Sequence, residues 1–201
     1  VESEQTSETT TNSGENDPAT VALENELVRA QQLMLSTTGQ SDDKDILEQC
    51  MSIFSTVYNE AEVKKNARLQ TFALCGLMQC SLNQQDMKAA ASIAKTLSDA
   101  DQPFEQHLDE SAKMKVASVS FAQHCQEALT RYKDESNNDD MLSQQYEKAL
   151  QQFSMGKADE ALELLFTIIK TDRFWNGDAA RQLIFKYWET LPKHSDIVIK
   201  Q

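Results

Sequence analysis

The sequence predicts an all-α chain of about eight helices, joined by tight turns and stacked as helical hairpins. Three observations carry this. Helix-favouring Ala, Leu, Gln, Glu and Lys dominate the composition. Only 5 Gly, 3 Pro and 7% aromatics occur in 201 residues, which argues against a sandwich, a barrel or a Rossmann sheet. Apolar residues recur at three- and four-residue spacings, and no stretch shows convincing strand alternation. With 22.7 kDa and 40% hydrophobic residues, the chain can bury the core of one ordinary domain or two small ones.

Residues 1–18 carry a single aliphatic side chain among Ser, Thr, Glu, Asn and Gly. Such a segment buries too little to offset the entropy of ordering, so it is expected to be a disordered acidic tail or linker before one helical domain over 19–201. A first helix runs from Ala19 to near Gly39, with Val21, Leu27, Val28 and Leu33/Met34 sharing a face. A second follows Asp42/Asp43 over about 45–58, with Ile46, Leu47, Cys50, Met51, Phe54 and Val57 inward. The third, about 64–82, places Leu69, Phe72, Ala73, Gly76, Leu77 and Cys80 on one stripe, and the fourth, about 86–98, Ala90, Ile93, Ala94 and Leu97. Their short link, Asn83-Gln84-Gln85, requires an antiparallel hairpin.

After Pro103 a long helix is expected over about 105–132, with Leu108, Ala112, Val116, Val119, Cys125, Ala128 and Leu129 inward, until the polar break at 134–140. Asp139/Asp140 then cap a helix to Met155, Gly156 makes a turn, and a helix follows over 157–170. Leu142, Tyr146, Ala149, Leu150 and Phe153 are expected to face Ala161, Leu162, Leu165, Ile168 and Ile169. A last helix over about 177–190 turns Ala180, Leu183, Ile184, Tyr187 and Trp188 inward before Pro192 stops it.

The 19 Lys+Arg against 32 Asp+Glu give a net charge of −13 and a pI near 4.6, which disfavours nucleic acid and anionic membrane surfaces as partners. Residues 1–48 alone carry a net −9. No apolar run is long enough to span a bilayer, and the first residues do not resemble a secretory leader, so a soluble, processed or excised chain is expected. Cys50, Cys75, Cys80 and Cys125 form no C-x-x-C pair and read as reduced core thiols. A zinc site would need His107 or His124 to converge with them, and the spacings match no finger or knuckle.

Within 139–171, Ala149, Gly156, Ala161 and Leu165 occupy the small, turn, small and bulky places of a tetratricopeptide unit, and Ala90 precedes Ala161 by 71 residues, about two periods of 34. The fold class is therefore a tetratricopeptide-like helical-hairpin solenoid with a disordered acidic N-terminal segment. The run from Gly156-Lys157-Ala158-Asp159-Glu160-Ala161-Leu162-Glu163-Leu164-Leu165 through Asp172-Arg173-Phe174-Trp175 to Gly177-Asp178-Ala179-Ala180-Arg181 is specific enough to name a family. It resembles the C-terminal tetratricopeptide region of the thioredoxin-like co-chaperones of the chaperedoxin type, strongly over about 145–192 and more faintly over 22–132. In that family an E-A-L-E-L-L-type helix leads into a D-R-x-W turn and a helix opening G-x-x-A-R. The family's thioredoxin domain has no counterpart in these residues, which lack C-x-x-C and βαβ alternation. The leader fits the place of the interdomain linker, and the family's further Arg-rich C-terminal helix is not matched here.

The resemblance implies a non-enzymatic domain that binds unfolded or oxidation-damaged clients and docks to a folding machine such as a chaperonin. It implies bacterial cytoplasm, or an organelle matrix in a eukaryote, and no cofactor. A tetratricopeptide scaffold or adaptor of a larger assembly is the alternative. Asp172, Arg173, Trp175, Arg181 and Trp188 carry the family signature and are the candidate partner-binding residues, weighed against core capping by the tryptophans and a structural clamp by the arginines. The basic clusters Lys64/Lys65/Arg68 and Lys113/Lys115 form no clear peptide clamp, and the seven methionines fall mostly at core spacing. No catalytic or metal-binding residue is expected; His124-Cys125 is a weak catalytic pair, since neighbours on a helix point about 100° apart.

Overall fold

The structure, a computed structural model, describes residues 17–36, 43–135 and 140–191. The expected disordered leader before Asp17, the end of the first helix near Gly39, and the Asp42, Asp139 and Pro192 signals lie outside them. Among the described residues there are eight α-helices and no strand: α1 Pro18–Leu35, α2 Asp43–Val63, α3 Ala67–Asn83, α4 Met87–Leu97, α5 Glu110–Glu135, α6 Met141–Ser154, α7 Ala158–Thr171 and α8 Trp175–Glu189. None is long and apolar enough to cross a membrane. The helices gather into two compact units that divide between Gly76 and Leu77, inside α3.

In the first unit, Asp17 accepts a hydrogen bond from the Ala19 amide and Pro18 opens α1, both favourable at a helix start. The buried face of α1 is Thr20, Leu23, Leu27 and Ala30. Val21 and Val28, expected inward, are exposed instead, because that narrower stripe fills the contact with α2 and leaves the valines on its flanks. On α2 the face is Leu47, Cys50, Phe54, Val57 and Ala61, and the Cys50 thiol donates to the Ala30 carbonyl at 3.4 Å. Gly76 on α3 lies against the Phe54 ring, where a Cβ would collide with it.

One turn geometry ends three helices. At 61–66, 81–86 and 152–157 the fifth residue is left-handed, Lys65 (φ 55°), Gln85 (φ 60°) and Gly156 (φ 75°). The next amide reaches back to the first carbonyl of each segment, Asn66 N to Ala61 O, Asp86 N to Ser81 O and Lys157 N to Gln152 O, at 2.8–2.9 Å. Asn66 and Asp86 then serve as caps of the following helix, accepting from Leu69 N and Ala89 N. Sequence alone showed this turn only at Gly156, since Lys65 and Gln85 adopt it without being glycine.

In the second unit each helix from α4 onward packs on its neighbour in sequence. The core joins Phe121 and Cys125 of α5, Ala149, Leu150 and Phe153 of α6, Ala161, Leu165 and Ile168 of α7, and Ala180, Leu183 and Ile184 of α8. Leu142, Tyr146, Leu162 and Ile169 pack against it half-buried, as the sequence pattern predicts. The small Ala149, Ala161 and Ala180, all at most 4% exposed, permit close helix approach. In this unit the starts of two helices, α5 and α8, differ from expectation. The helix predicted from about 105 is instead a 3₁₀ turn, Glu105–His107, then extended Leu108 (ψ 130°), with α5 starting once Asp109 caps the Ala112 amide at 2.7 Å. In α8, Asn176, Gly177 and Asp178 are left-handed, so its regular part begins after them.

Trp188, expected inward, is 42% exposed. The inward face of α8 is Ala180, Leu183, Ile184 and Tyr187, and Trp188 lies about 100° from Tyr187 around the helix.

Candidate functional site

The second unit carries an open groove of about 560 Å³ between the segment following α4, one face of α5, and the end of α8. Its geometry begins with Asp109, whose cap sets the start of α5 and hence the direction of its stripe: Lys113, Val116, Ala117, Ser120, Phe121 and His124 follow at three- and four-residue spacing and all line the groove. Leu97, Leu108, Val116 and Phe121 are buried and form an apolar floor. Phe121 is fixed by edge-on contact with Phe153 (5.0 Å between ring centres) and by Tyr187 of α8 (5.5 Å). Tyr187 therefore positions the end of α8, which brings Lys186, Glu189 and Thr190 to the opposite wall.

Charge is confined to the rim. The Lys186 ammonium lies 3.3 Å from Nε2 of His124. His124 is held below its ordinary range by burial first, then by Lys186 and Arg131, with Glu127 opposing. Lys186 forms no ion pair with a carboxylate among the described residues, whereas Lys113 pairs with Glu110 at 3.2 Å. Glu105 and Glu189 also border the groove. An apolar floor with few polar groups above it is suited to holding an apolar side chain in a fixed orientation.

The five signature residues do not line this groove. Trp175 is half-buried against the core and meets Tyr146 at 5.3 Å. The Asp172 carboxylate accepts from the Phe174 amide at 3.0 Å, and exposed Arg173 lies over the Phe174 ring. Arg181 forms an ion pair with Asp178 at 3.1 Å and stands over Phe185, which in turn meets Trp188 edge-on at 5.7 Å. Half-buried Arg181 thus joins exposed Phe185 and Trp188 in one stripe along α8.

The Cys125 thiol, paired with His124 in sequence, is fully buried and pushed up to about 12 by burial, a poor state for a nucleophile. None of the four cysteines is joined in a disulfide, and no cluster of His, Cys, Asp and Glu suited to a metal ion occurs among the described residues. Lys64 and Arg68 are engaged by Asp17 and Glu24, and Lys115 by Gln79. Of the methionines, Met78 is buried while Met114, Met141 and Met155 are exposed. In the sequence Lys113 and His124 stand out only beside Lys115 and Cys125, and nothing local marks Ser120 or Lys186; the one signal is the α5 stripe running past its own core positions.

Residues 122–201 match the tetratricopeptide repeat family. The match takes in the second half of α5 and all of α6, α7 and α8, and so includes Ala149, Gly156, Ala161 and Leu165. Tetratricopeptide repeats are non-catalytic units that bind other proteins. The comparisons with curated proteins and with solved structures give no match.

Proposed function

We propose that this chain is the protein-binding portion of a thioredoxin-like co-chaperone, which holds unfolded or oxidation-damaged clients and passes them to a folding machine of the chaperonin kind. The observation that carries the reading is the open groove floored by Leu97, Leu108, Val116 and Phe121, next to the helices that match the tetratricopeptide repeat family. Such a surface accepts side chains from segments that a folded client would have buried. The Gly156–Arg181 run supports the co-chaperone origin by resemblance. On this reading the chain needs no cofactor and performs no chemistry, and works in bacterial cytoplasm or an organelle matrix.

The exposed Phe185–Trp188 pair favours a second reading, a tetratricopeptide adaptor held permanently in a larger assembly, because aromatic pairs of this kind anchor stable interfaces. Light scattering of a heat-denatured client, with and without the chain, separates the two when combined with capture from cell extract. The co-chaperone reading predicts slower aggregation and recovery of chaperonin. Unchanged aggregation with one fixed set of partners contradicts it.

A further inference from the structure

We propose that the groove between α4, α5 and α8 has an occupant within this chain: the stretch Lys193-His194-Ser195-Asp196-Ile197-Val198-Ile199-Lys200, which turns back after α8 and lays Ile197 and Ile199 over Leu108 and Val116. The contact itself goes beyond the co-chaperone reading. Its consequence, that a client must displace the stretch to reach the groove, rests on that reading.

The chain leaves α8 on the wall of the groove. Glu189 and Thr190 line it, and the last turn closes with Thr190 N to Tyr187 O at 3.0 Å and Leu191 N to Trp188 O at 3.1 Å. Pro192, outside the described residues, has no N–H to carry the helix on, so α8 stops where the groove opens. Six residues separate Leu191 from Ile197, at most about 20 Å of extended chain, ample for a seat that Thr190 already borders. Ile197, Val198 and Ile199 are the only large apolar side chains over 192–201, and all three are β-branched. Such residues favour extended backbone, which sends Ile197 and Ile199 to one side and Val198 to the other. The floor they meet is preformed, because the Phe121 ring is held by Phe153 and Tyr187.

Charge matches as well. Among the described residues Glu105 and Glu189 border the groove without an ion pair, against one uncommitted ammonium, Lys186, since Lys113 is engaged by Glu110. The stretch carries the inverse set, Lys193 and Lys200 against Asp196, with one lysine on each side of the apolar group. Opposite surpluses at a solvent-exposed rim add little affinity but favour this register over others. A tether this short gives an effective concentration of about millimolar at the groove, comparable to the strength of a contact made by two side chains, so occupancy is partial and a client with a longer apolar segment displaces the stretch. With the groove filled about two-thirds of the time, freeing it tightens client binding about threefold.

Solution NMR of the full 201-residue chain tests the contact. Methyl NOEs are expected between Ile197 or Ile199 and Leu108 or Val116, and isotope-filtered spectra of mixed labelled and unlabelled chains should place them within one chain. Ile197→Ser/Val198→Ser/Ile199→Ser should move the amide signals of Val116–His124, some seventy residues away in sequence, with those of α2 unchanged. Lys193→Glu/Lys200→Glu should weaken the NOEs, and undiminished NOEs would overturn the charge match. Absence of the NOEs with shifts confined to 190–201, or NOEs only between two copies, overturns the inference and leaves protein binding standing. Fluorescence anisotropy with a labelled peptide of alternating Leu and Ser tests the consequence: the triple-serine variant should bind it about threefold more tightly than the native chain. Equal affinities beside intact NOEs overturn the competition. NOEs with no peptide binding to either chain support the docking and overturn the client reading of the groove.

Discussion

Nε2 of His124 accepts a hydrogen bond from the Lys186 ammonium at 3.3 Å, which ties α8 to α5 at the rim of the groove and requires the imidazole to carry its proton on Nδ1. The bond exists only while His124 is uncharged, since a second proton would replace the acceptor lone pair and set two cations side by side.

A pH dependence follows. Burial and its cationic neighbours lower the folded-state pKa of His124 below the ordinary 6.5. As pH falls below 6.5, the unfolded chain takes up a proton that the folded chain refuses, so stability declines until the folded value is passed. Urea unfolding from about pH 8 to pH 5 should show this decline in the native chain and a flatter profile in His124→Gln. Identical profiles would remove His124 from the account. The lowered carboxyls of Asp17 and Asp140 act below 3.8, outside this window.

Gly76→Ala should destabilise the chain by about 1–3 kcal/mol, because the added methyl meets the Phe54 ring. The sign is diagnostic, since Gly to Ala inside an unobstructed helix gains about 1 kcal/mol. Shrinking the ring in Gly76→Ala/Phe54→Leu should recover part of the loss in denaturant titration; an additive further loss would place the strain elsewhere.

The shared helix-ending turn predicts opposite effects at equivalent places. Gly156→Ala should cost about 1 kcal/mol, having to hold a side chain at φ 75°. Gln85→Gly should gain up to about 1 kcal/mol by relieving the same conformation, less whatever the more flexible unfolded chain takes back. Thermal melts of both variants check this, and a loss at both positions would contradict it.

The two tryptophans should behave differently. Trp175→Ala removes a half-buried ring from the Tyr146 contact and is expected to cost about 2–3 kcal/mol, somewhat below a fully buried ring. Trp188→Ala, at a 42% exposed position, should change stability by less than about 1 kcal/mol. Paired urea titrations decide it, and equal losses would mean that Trp188 is part of the core.

How much of this was legible in the sequence depends on how local the cause is. The α6–α7–α8 contacts were read correctly because Ala149, Leu150, Phe153, Ala161, Leu165, Ala180 and Ile184 mark faces by spacing alone, and Gly156 marks its turn by composition. Lys65 and Gln85 adopt the same turn without a glycine, and only the Asn66 and Asp86 caps beside them signal it. Val21, Val28, Phe72 and Trp188 are exposed against expectation because periodicity gives the direction of a face but not the width that a neighbour covers. The groove was illegible for another reason: Leu97, Val116 and Lys186 come from three separated parts of the chain, and no local pattern joins them.

Hydrogen–deuterium exchange of the full chain, with and without a denatured client, tests the central claim most directly. Protein binding through the groove predicts slowed exchange in α5 around Val116–His124 and at the end of α8 around Lys186–Thr190, with α2 unchanged. Slowed exchange confined to other helices, or none anywhere with client bound, would contradict it.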